Sequence, residues 1–254
     1  MRLVDGASAI RGDLPSASTI DVDVPLGAGN DQGTLVQRLS SLIQVRDSLL
    51  LRLEAVDGIA ITIGGDCGVD LAGVSHANTI NEAMAVVWLD AHPDANTPDS
   101  SPSGAFHGMV LRTLLGDGAP ELVPQTPLAP ARVILGGTRA QDEVEAAWLE
   151  TSGVRVLSPA ELTPDSITEA LRASGATSVY LHIDLDVLDP GEIAGIGYPE
   201  PFGVELATLL EVITAVKAAL PLVGAAITEF APASVEEAGD DLGCILRILG
   251  ALTA

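Results

Sequence analysis

The stretch Ala85-Val86-Val87-Trp88-Leu89-Asp90-Ala91-His92-Pro93-Asp94 decides how the chain folds. Ala85 to Leu89 is an uncharged apolar run of strand length, the composition of a strand buried on both faces in a parallel sheet. It ends abruptly in Asp90, His92 and Asp94, at i, i+2 and i+4, positions that share one face in extended chain. Tyr180-Leu181-His182-Ile183-Asp184-Leu185-Asp186 has the same form, with Asp184 and Asp186 closing a second apolar run. Two strands thus deliver four carboxylates and one imidazole. In open α/β sheets ligands bind beyond the carboxyl ends of the strands, where these groups fall.

Outward from these two strands, Ile59 to Ile63 runs into Gly64-Gly65, and Arg132 to Leu135 runs into Gly136-Gly137. Val154 to Leu157, Ser178 to Ile183 and Leu222 to Ile227 are further short apolar runs, and helical segments separate them. Leu35, Leu39, Leu42, Leu49 and Leu53 recur at helical spacing with Arg38, Arg46 and Arg52 between them, which predicts an amphipathic helix over 35–53. Ser158-Pro159-Ala160-Glu161 has the form of a capping box with Pro at the first helical position, and Thr163-Pro164-Asp165 offers a second start, for a helix through Arg172. Such alternation predicts an α/β fold of three layers, a central, mostly parallel sheet with helices on both faces. The loops richest in Pro, Ser and Gly, Thr97 to Gly104 and Pro120 to Pro130, are too short for linkers, so 1–254 reads as a single domain.

The chain has 254 residues, 47% of them hydrophobic, enough for one full-sized core. With 12 Lys and Arg against 35 Asp and Glu, its net charge of -23 argues against nucleic acid or an anionic membrane surface as partner and would attract a cationic small molecule. Cys67 and Cys244 are its two cysteines, which excludes a disulfide-built scaffold and points to a reducing cytoplasm. Met1 to Gly6 has neither the form of a signal peptide nor that of a transit peptide, and the sequence contains no uncharged apolar run of about 18 residues, the length of a membrane span.

Four carboxylates gathered at neutral pH repel one another, and burying them uncompensated costs several kcal/mol apiece. A cation must offset that charge. One His among mostly oxygen ligands suits Mn²⁺ or a similar divalent ion. Four carboxylates exceed what one ion takes from a protein, so two ions sharing bridging carboxylates, typically about 3.5 to 4 Å apart, fit better. A single Asp-x-Asp in a loop is ordinarily a turn or a cap; two clusters, each closing a buried strand, point to metal.

These residues resemble the arginase, agmatinase and formimidoylglutamase superfamily of ureohydrolases, closest to its arginase-like members. The resemblance runs from about Gly64 to Pro232. Gly64-Gly65-Asp66 is similar to the first metal motif of that superfamily, and Asp90-Ala91-His92-Pro93-Asp94-Ala95-Asn96-Thr97-Pro98 to the second. Asp184-Leu185-Asp186-Val187-Leu188-Asp189-Pro190 is similar to the third, and Glu229-Phe230-Ala231-Pro232 to the short Glu-x-x-Pro signature. The resemblance implies an arginase-like fold and two Mn²⁺ ions bridged by Asp90 and Asp184. Asp94 would complete the first ion's ligands, and His92 with Asp186 the second's. Cys67 stands where the family has a metal-binding His; it reads as a ligand of the first ion or, alternatively, as a small buried hydrophobe.

His107, in Ser103-Gly104-Ala105-Phe106-His107-Gly108, resembles the family's proton-shuttling histidine. His182 alternates with Asp184 and reads as a neighbour of the ligands, His76 as an ordinary surface residue. The implied reaction is hydrolysis of a guanidinium to a urea and an amine, with Asp186 orienting the nucleophile and Glu229 pairing with the cation. Asn96 and Ser103 resemble residues that hold a substrate α-carboxylate, and Asp142 one that holds an α-amino group, so the expected substrate is arginine or a close analogue, with ornithine as product. Ala105 and Ala140 depart from the arginase pattern, and Tyr198 sits near a position usually held by Thr. Cys at position 67 also resembles a branch acting on Nω-hydroxyarginine, which is the alternative substrate. A second alternative is a metal-depleted, non-catalytic homologue serving as a binding subunit. The family further implies a homo-oligomer, a trimer or hexamer.

Overall fold

The computed structural model describes residues 2–254. Strands β1 (Ala60–Ile63), β2 (Met84–Leu89), β3 (Val133–Gly136), β4 (Arg155–Leu157), β5 (Ser178–Asp184) and β6 (Leu222–Thr228) form one sheet in the order β1-β6-β5-β2-β3-β4. All five pairings are parallel, so the expected mostly parallel sheet is wholly parallel in its named strands. Helices α1 (Arg2–Asp13), α2 (Leu39–Leu53), α3 (Asp70–Ile80), α4 (Val110–Leu114), α5 (Glu143–Ser152), α6 (Pro164–Ser174), α7 (Leu206–Ala219) and α8 (Val235–Thr253) cover its faces.

Strand β2 is buried throughout and splits its side chains between two cores. Ala85, Val87 and Leu89 face one side with Val179, Leu181 and Ile183 of β5, under α6, α7 and α8. Met84, Val86 and Trp88 face the other with Tyr180 of β5, under α2, α3 and α4. The alternation of a strand buried on both faces produces the three layers. From β2 the chain runs outward through β3 and β4, then returns to place β5 on the other side of β2. The order reverses there, and the carboxyl ends of β2 and β5 flank the crevice that such a reversal opens.

Two expected helix starts move. The helix expected over 35–53 begins at Leu39, because Arg38 adopts a left-handed conformation (φ 59°) that breaks the helical run, and Leu35 stays exposed. Ser158-Pro159-Ala160-Glu161 closes a single turn rather than opening a helix. The Ser158 amide and hydroxyl both donate to Glu161 Oε2, but Leu162 then drops into the core and Thr163-Pro164 starts α6 with its own capping box to Ser166. Burial of one leucine outweighs a few tenths to one kcal/mol of cap. Among the described residues no helix is long and apolar enough to cross a membrane.

Candidate metal centre

Asp90 follows β2 and Asp184 ends β5; these strands pair in register as far as Leu89 with Ile183, so the two carboxyls start from adjacent strand ends. Past Leu89 the extended geometry that would align Asp90, His92 and Asp94 breaks down. The His92 amide donates to Asp90 Oδ1 at 2.6 Å, a local turn, and Asp94 adopts a left-handed backbone (φ 49°). Likewise the Asp186 amide donates to Asp184 Oδ1 at 2.8 Å and begins a short 3-10 turn. The same residues converge, through turns instead of strand alternation.

The convergence is tied across the strands. Ala91 donates its amide to Asp186 Oδ1 at 2.9 Å, and His92 Nδ1 lies 2.9 Å from Asp186 Oδ2 and 3.6 Å from Asp90 Oδ1. Trp88 Nε1 donates to Asp90 Oδ2 at 3.0 Å. On the far side, Gly64 and Gly65 (φ 93° and 80°) turn the chain after β1, and Asp66 caps the turn that carries Cys67. The Cys67 Sγ then sits 3.0 Å from Asp184 Oδ2 and 3.9 Å from Asp90 Oδ2. Glu229 follows β6 in a left-handed conformation (φ 66°), its amide bonded to the Gly65 carbonyl.

Electrostatically this is a strained collection. Burial, then the charge of neighbouring acids, pushes Asp184 and Asp94 well above the ordinary carboxylate value. The same two causes push Asp186 up to about 6 and Glu229 up to about 8. Burial also raises the Cys67 thiol, with Asp184 adding to it. Asp90 goes the other way: burial opposes ionisation, but His92 and His182 hold it below the usual range. Burial would lower His92, yet its bonds to Asp186 and Asp90 raise it to about 11. Among the described residues, Asp94 Oδ2, Glu229 Oε1 and His182 Nε2 are buried polar atoms with no hydrogen-bond partner. Buried polar groups without partners are uncommon in folded proteins and call for a ligand at the site.

The donor set fits divalent metal. Cys67, Asp90, His182 and Asp184 form one group and Asp90, His92 and Asp186 another, the ligand atoms of each lying within 4.8 Å of one another. Opposite ligands of one ion are about 4 to 4.6 Å apart, twice a bond of about 2.0 to 2.3 Å. Asp90 belongs to both groups, with Oδ2 toward Cys67 and Oδ1 toward His92. Asp94 stands outside both, buried, close enough to Cys67 for the thiol to bear on its charge.

The expected substrate residues lie on the segments that follow β2 and β3. Asn96 is buried, its Nδ2 donating to Asp142 Oδ2 at 2.9 Å and its Oδ1 accepting from Ser100. Asp142 Oδ1 accepts from the amides of Val144 and Glu145 and so caps α5. Ser103 is exposed on the following loop, where its hydroxyl accepts from the Ala105 amide. His107 is half-buried and stacks on Tyr198, ring centroids 5.3 Å apart.

Three side chains that support the site lie outside the sequence motifs. Arg139 donates to the backbone carbonyls of Asp186, Val187, Leu188 and Glu200, clamping the segment that carries Asp186. Glu145 Oε1 accepts from the Ala95 amide, fixing the chain beside Asp94. Asp70, at the start of α3, accepts from Tyr180 and faces His182 Nδ1 at 2.8 Å. Spacing alone could have found Asp70 and His182 only by pairing a helix start with a strand; Arg139 acts through carbonyls and leaves no pattern in sequence.

Comparison with known proteins agrees with this geometry. The Entamoeba histolytica arginase is 31% identical over 220 residues, which span 82% of this chain and 74% of that one. The Streptomyces lavendulae N(omega)-hydroxy-L-arginine amidinohydrolase is 31% identical over 221 residues, 85% of this chain and 76% of that one. The crystal structure of the Entamoeba histolytica arginase in complex with L-ornithine superposes with a TM-score of 0.80 at 26% identity, covering 91% of this chain and 82% of that one. The model of the arginase family matches residues 9–246, and the chain belongs to that family, whose members are metal-dependent hydrolases of guanidino compounds.

Proposed function

We propose that the chain holds two Mn²⁺ ions and hydrolyses the guanidino group of an amino acid, arginine or its Nω-hydroxy analogue, to a urea and an amine such as ornithine. The observation that carries this reading is the ring of orphaned buried atoms, Asp94 Oδ2, Glu229 Oε1 and His182 Nε2, around carboxylates that no protein cation fully neutralises. Cys67, Asp90, Asp94 and Asp184 would hold the first ion, and Asp90, His92, Asp184 and Asp186 the second. When bound, such a pair acidifies water and supplies hydroxide at neutral pH.

The chain's own residues do the rest. Glu229, raised to about 8 by burial and by Asp66, gains from pairing with a guanidinium, which returns the carboxyl to its ionised form and fixes the reacting carbon. Asp186 is already held by Ala91 and His92, so its carboxylate is oriented to accept a proton from the attacking water. Water oxygen bonds to the guanidinium carbon, Asp186 passes the proton it took to the alkyl nitrogen, and the carbon–nitrogen bond breaks to give the urea and the neutral amine. His107, at the rim beside Tyr198, gives the departing amine its second proton and recovers it from solvent. Asn96, Ser103 and Asp142 would hold the α-carboxylate and α-amino groups.

Nω-Hydroxyarginine has a specific observation in its favour, Cys67 together with the Streptomyces lavendulae relative. A screen of arginine, Nω-hydroxyarginine and agmatine with Mn²⁺, Co²⁺, Ni²⁺ and Zn²⁺, scored by release of urea or hydroxyurea, decides between them. No release from any guanidino substrate by protein carrying two ions per chain would overturn the reading. We place the protein in the cytoplasm as a homo-oligomer, trimer or hexamer, a state that light scattering measures.

A further inference from the structure

His182 is wholly buried in the middle of the sheet, an expensive place for an imidazole with nothing to do. Its surroundings are built to hold one orientation. The register pairs it with Trp88, and the two rings stack at 3.5 Å and 11°. Nδ1 lies 2.8 Å from Asp70 Oδ2, while Tyr180, two residues back on the same face of β5, donates to Asp70 Oδ1. A Cβ on Gly73 would strike the Tyr180 hydroxyl and Asp70 Oδ1, so a glycine makes room for the pair.

Asp70 Oδ1 is taken by Tyr180 and its Oδ2 faces Nδ1, so with Nδ1 donating to that carboxylate, Nε2 is the ring nitrogen left to bind elsewhere. That Nε2 is buried without a partner and points at Asp90 Oδ2, 3.9 Å away. Asp90 Oδ2 already accepts from Trp88, and its 3.9 Å gap to Nε2 is too long for a hydrogen bond but close to the spacing of two ligands of one ion. Carboxylate, histidine and metal in line is the arrangement by which proteins fix a ligand's tautomer and raise its basicity.

We propose that His182 Nε2 is a ligand of the first ion, oriented by Asp70, so that strand β5 supplies the imidazole that the Gly64-Gly65-Asp66 loop, ending in Cys67, does not. This rests on the reading that the chain binds two ions. With His182 added to Cys67, Asp90, Asp94 and Asp184, the first site combines thiolate, imidazole and carboxylates, a softer set than carboxylates with one imidazole, and ranks Co²⁺ and Zn²⁺ above Mn²⁺. Of the two sites it alone reports its occupancy through a thiolate.

The test is Co²⁺ titration of the metal-stripped full chain, followed by calorimetry and by absorption, since only the first site gives a thiolate-to-cobalt charge-transfer band. His182→Asn keeps an amide donor for Asp70 and removes Nε2. It should weaken the site with that band by about 100-fold or more and change its visible spectrum, while the second site titrates as in the parent. Asp70→Asn, which keeps the imidazole but loosens it, should weaken the same site by about 10- to 100-fold; it decides the matter if His182→Asn loses its native circular dichroism. A parent that takes up two ions, with either folded variant matching its affinity and spectrum at the first site, overturns the assignment of His182 alone. Equal weakening of both sites also overturns it, since that marks a packing residue. A parent that takes up no Co²⁺ overturns the two-ion reading itself.

Discussion

Stripping the metal should make the stability of this protein fall as pH rises, and restoring it should abolish the fall. Glu229 is 5% exposed and, without cations beside it, keeps its proton up to about pH 8, against 4.5 for the free side chain. A group whose folded pKa is raised stabilises the fold below its unfolded pKa and loses that contribution as pH climbs to the folded one. Well inside the window each pH unit removes about 1.4 kcal/mol, less as the folded pKa is reached, so the two units from pH 6 to pH 8 remove about 2 kcal/mol through Glu229 alone. His92, raised to about 11 by Asp186 and Asp90 against its burial, holds its proton where the unfolded chain gives it up, and adds to the fall above 6.5. Asp186, raised to about 6, has lost most of its contribution by then. Bound cations favour the ionised acids in the folded state and remove these differences. For a chain of this size about 2 kcal/mol is roughly 4 to 8 °C in Tm. Differential scanning calorimetry of stripped and Mn²⁺-loaded protein at pH 6, 7 and 8 measures the gap, and the -23 surface charge is common to both samples. A gap constant across that range would refute the reasoning. Glu229→Gln should flatten about half of the slope.

Asp184→Asn should lose metal while Asp189→Asn should not, because Asp189 spends its carboxylate on the amides of Gly191 and Gly203, away from the centre; equal metal content by atomic emission would sink the ligand assignment. Asp142→Ala should raise KM for the guanidino amino acid by about 1.5 to 3 kcal/mol and also cost about 1 kcal/mol of helix cap. Asp142→Asn keeps the cap, so a normal Tm with a raised KM isolates the lost charge, and an unchanged KM puts the amino group elsewhere. Cys67→His should tighten Mn²⁺ at the first site and move the activity profile to lower pH, since a thiolate lowers the Lewis acidity of the ion it binds. Should Cys67→His and Cys67→Ala both match the parent in Mn²⁺ affinity and pH profile, Cys67 is a packing residue.

The sheet was legible because its strands are short and mostly apolar, with the central β2 and β5 buried throughout, and several end at Gly or Asp. Every run read as a strand is one, and Val86 to Leu89 and Ser178 to Ile183 are neighbours. Helix starts were less legible, since Ser158 to Glu161 satisfies capping chemistry that a single turn also uses. The acids were found for a reason only half right: strand alternation brings His182 and Asp184 to one face, whereas Asp90, His92 and Asp94 meet through an Asx turn and a left-handed residue. Sequence spacing carries no sign of either. Nor does it show that Asp142, expected to hold substrate, already caps α5 and accepts from Asn96, so any α-ammonium must join a carboxylate with bonds in place.

The two halves of the centre solve the same electrostatic problem differently. Around Asp186 the protein carries its own cation: protonated His92 bridges Asp186 and Asp90, at 32% side-chain exposure, where water also screens. An ion entering there must displace a proton from the imidazole that binds it. Around Cys67 every donor is buried, and burial with the charge of neighbouring acids raises Asp184 and the thiol well above their ordinary values. An ion entering there must compete with protons for these groups. Both steps release protons, so both affinities climb with pH, but only the second removes an uncompensated set of buried polar groups. Metal on the Cys67 side would therefore contribute more to folding, and metal on the His92 side, nearer solvent, would exchange more readily.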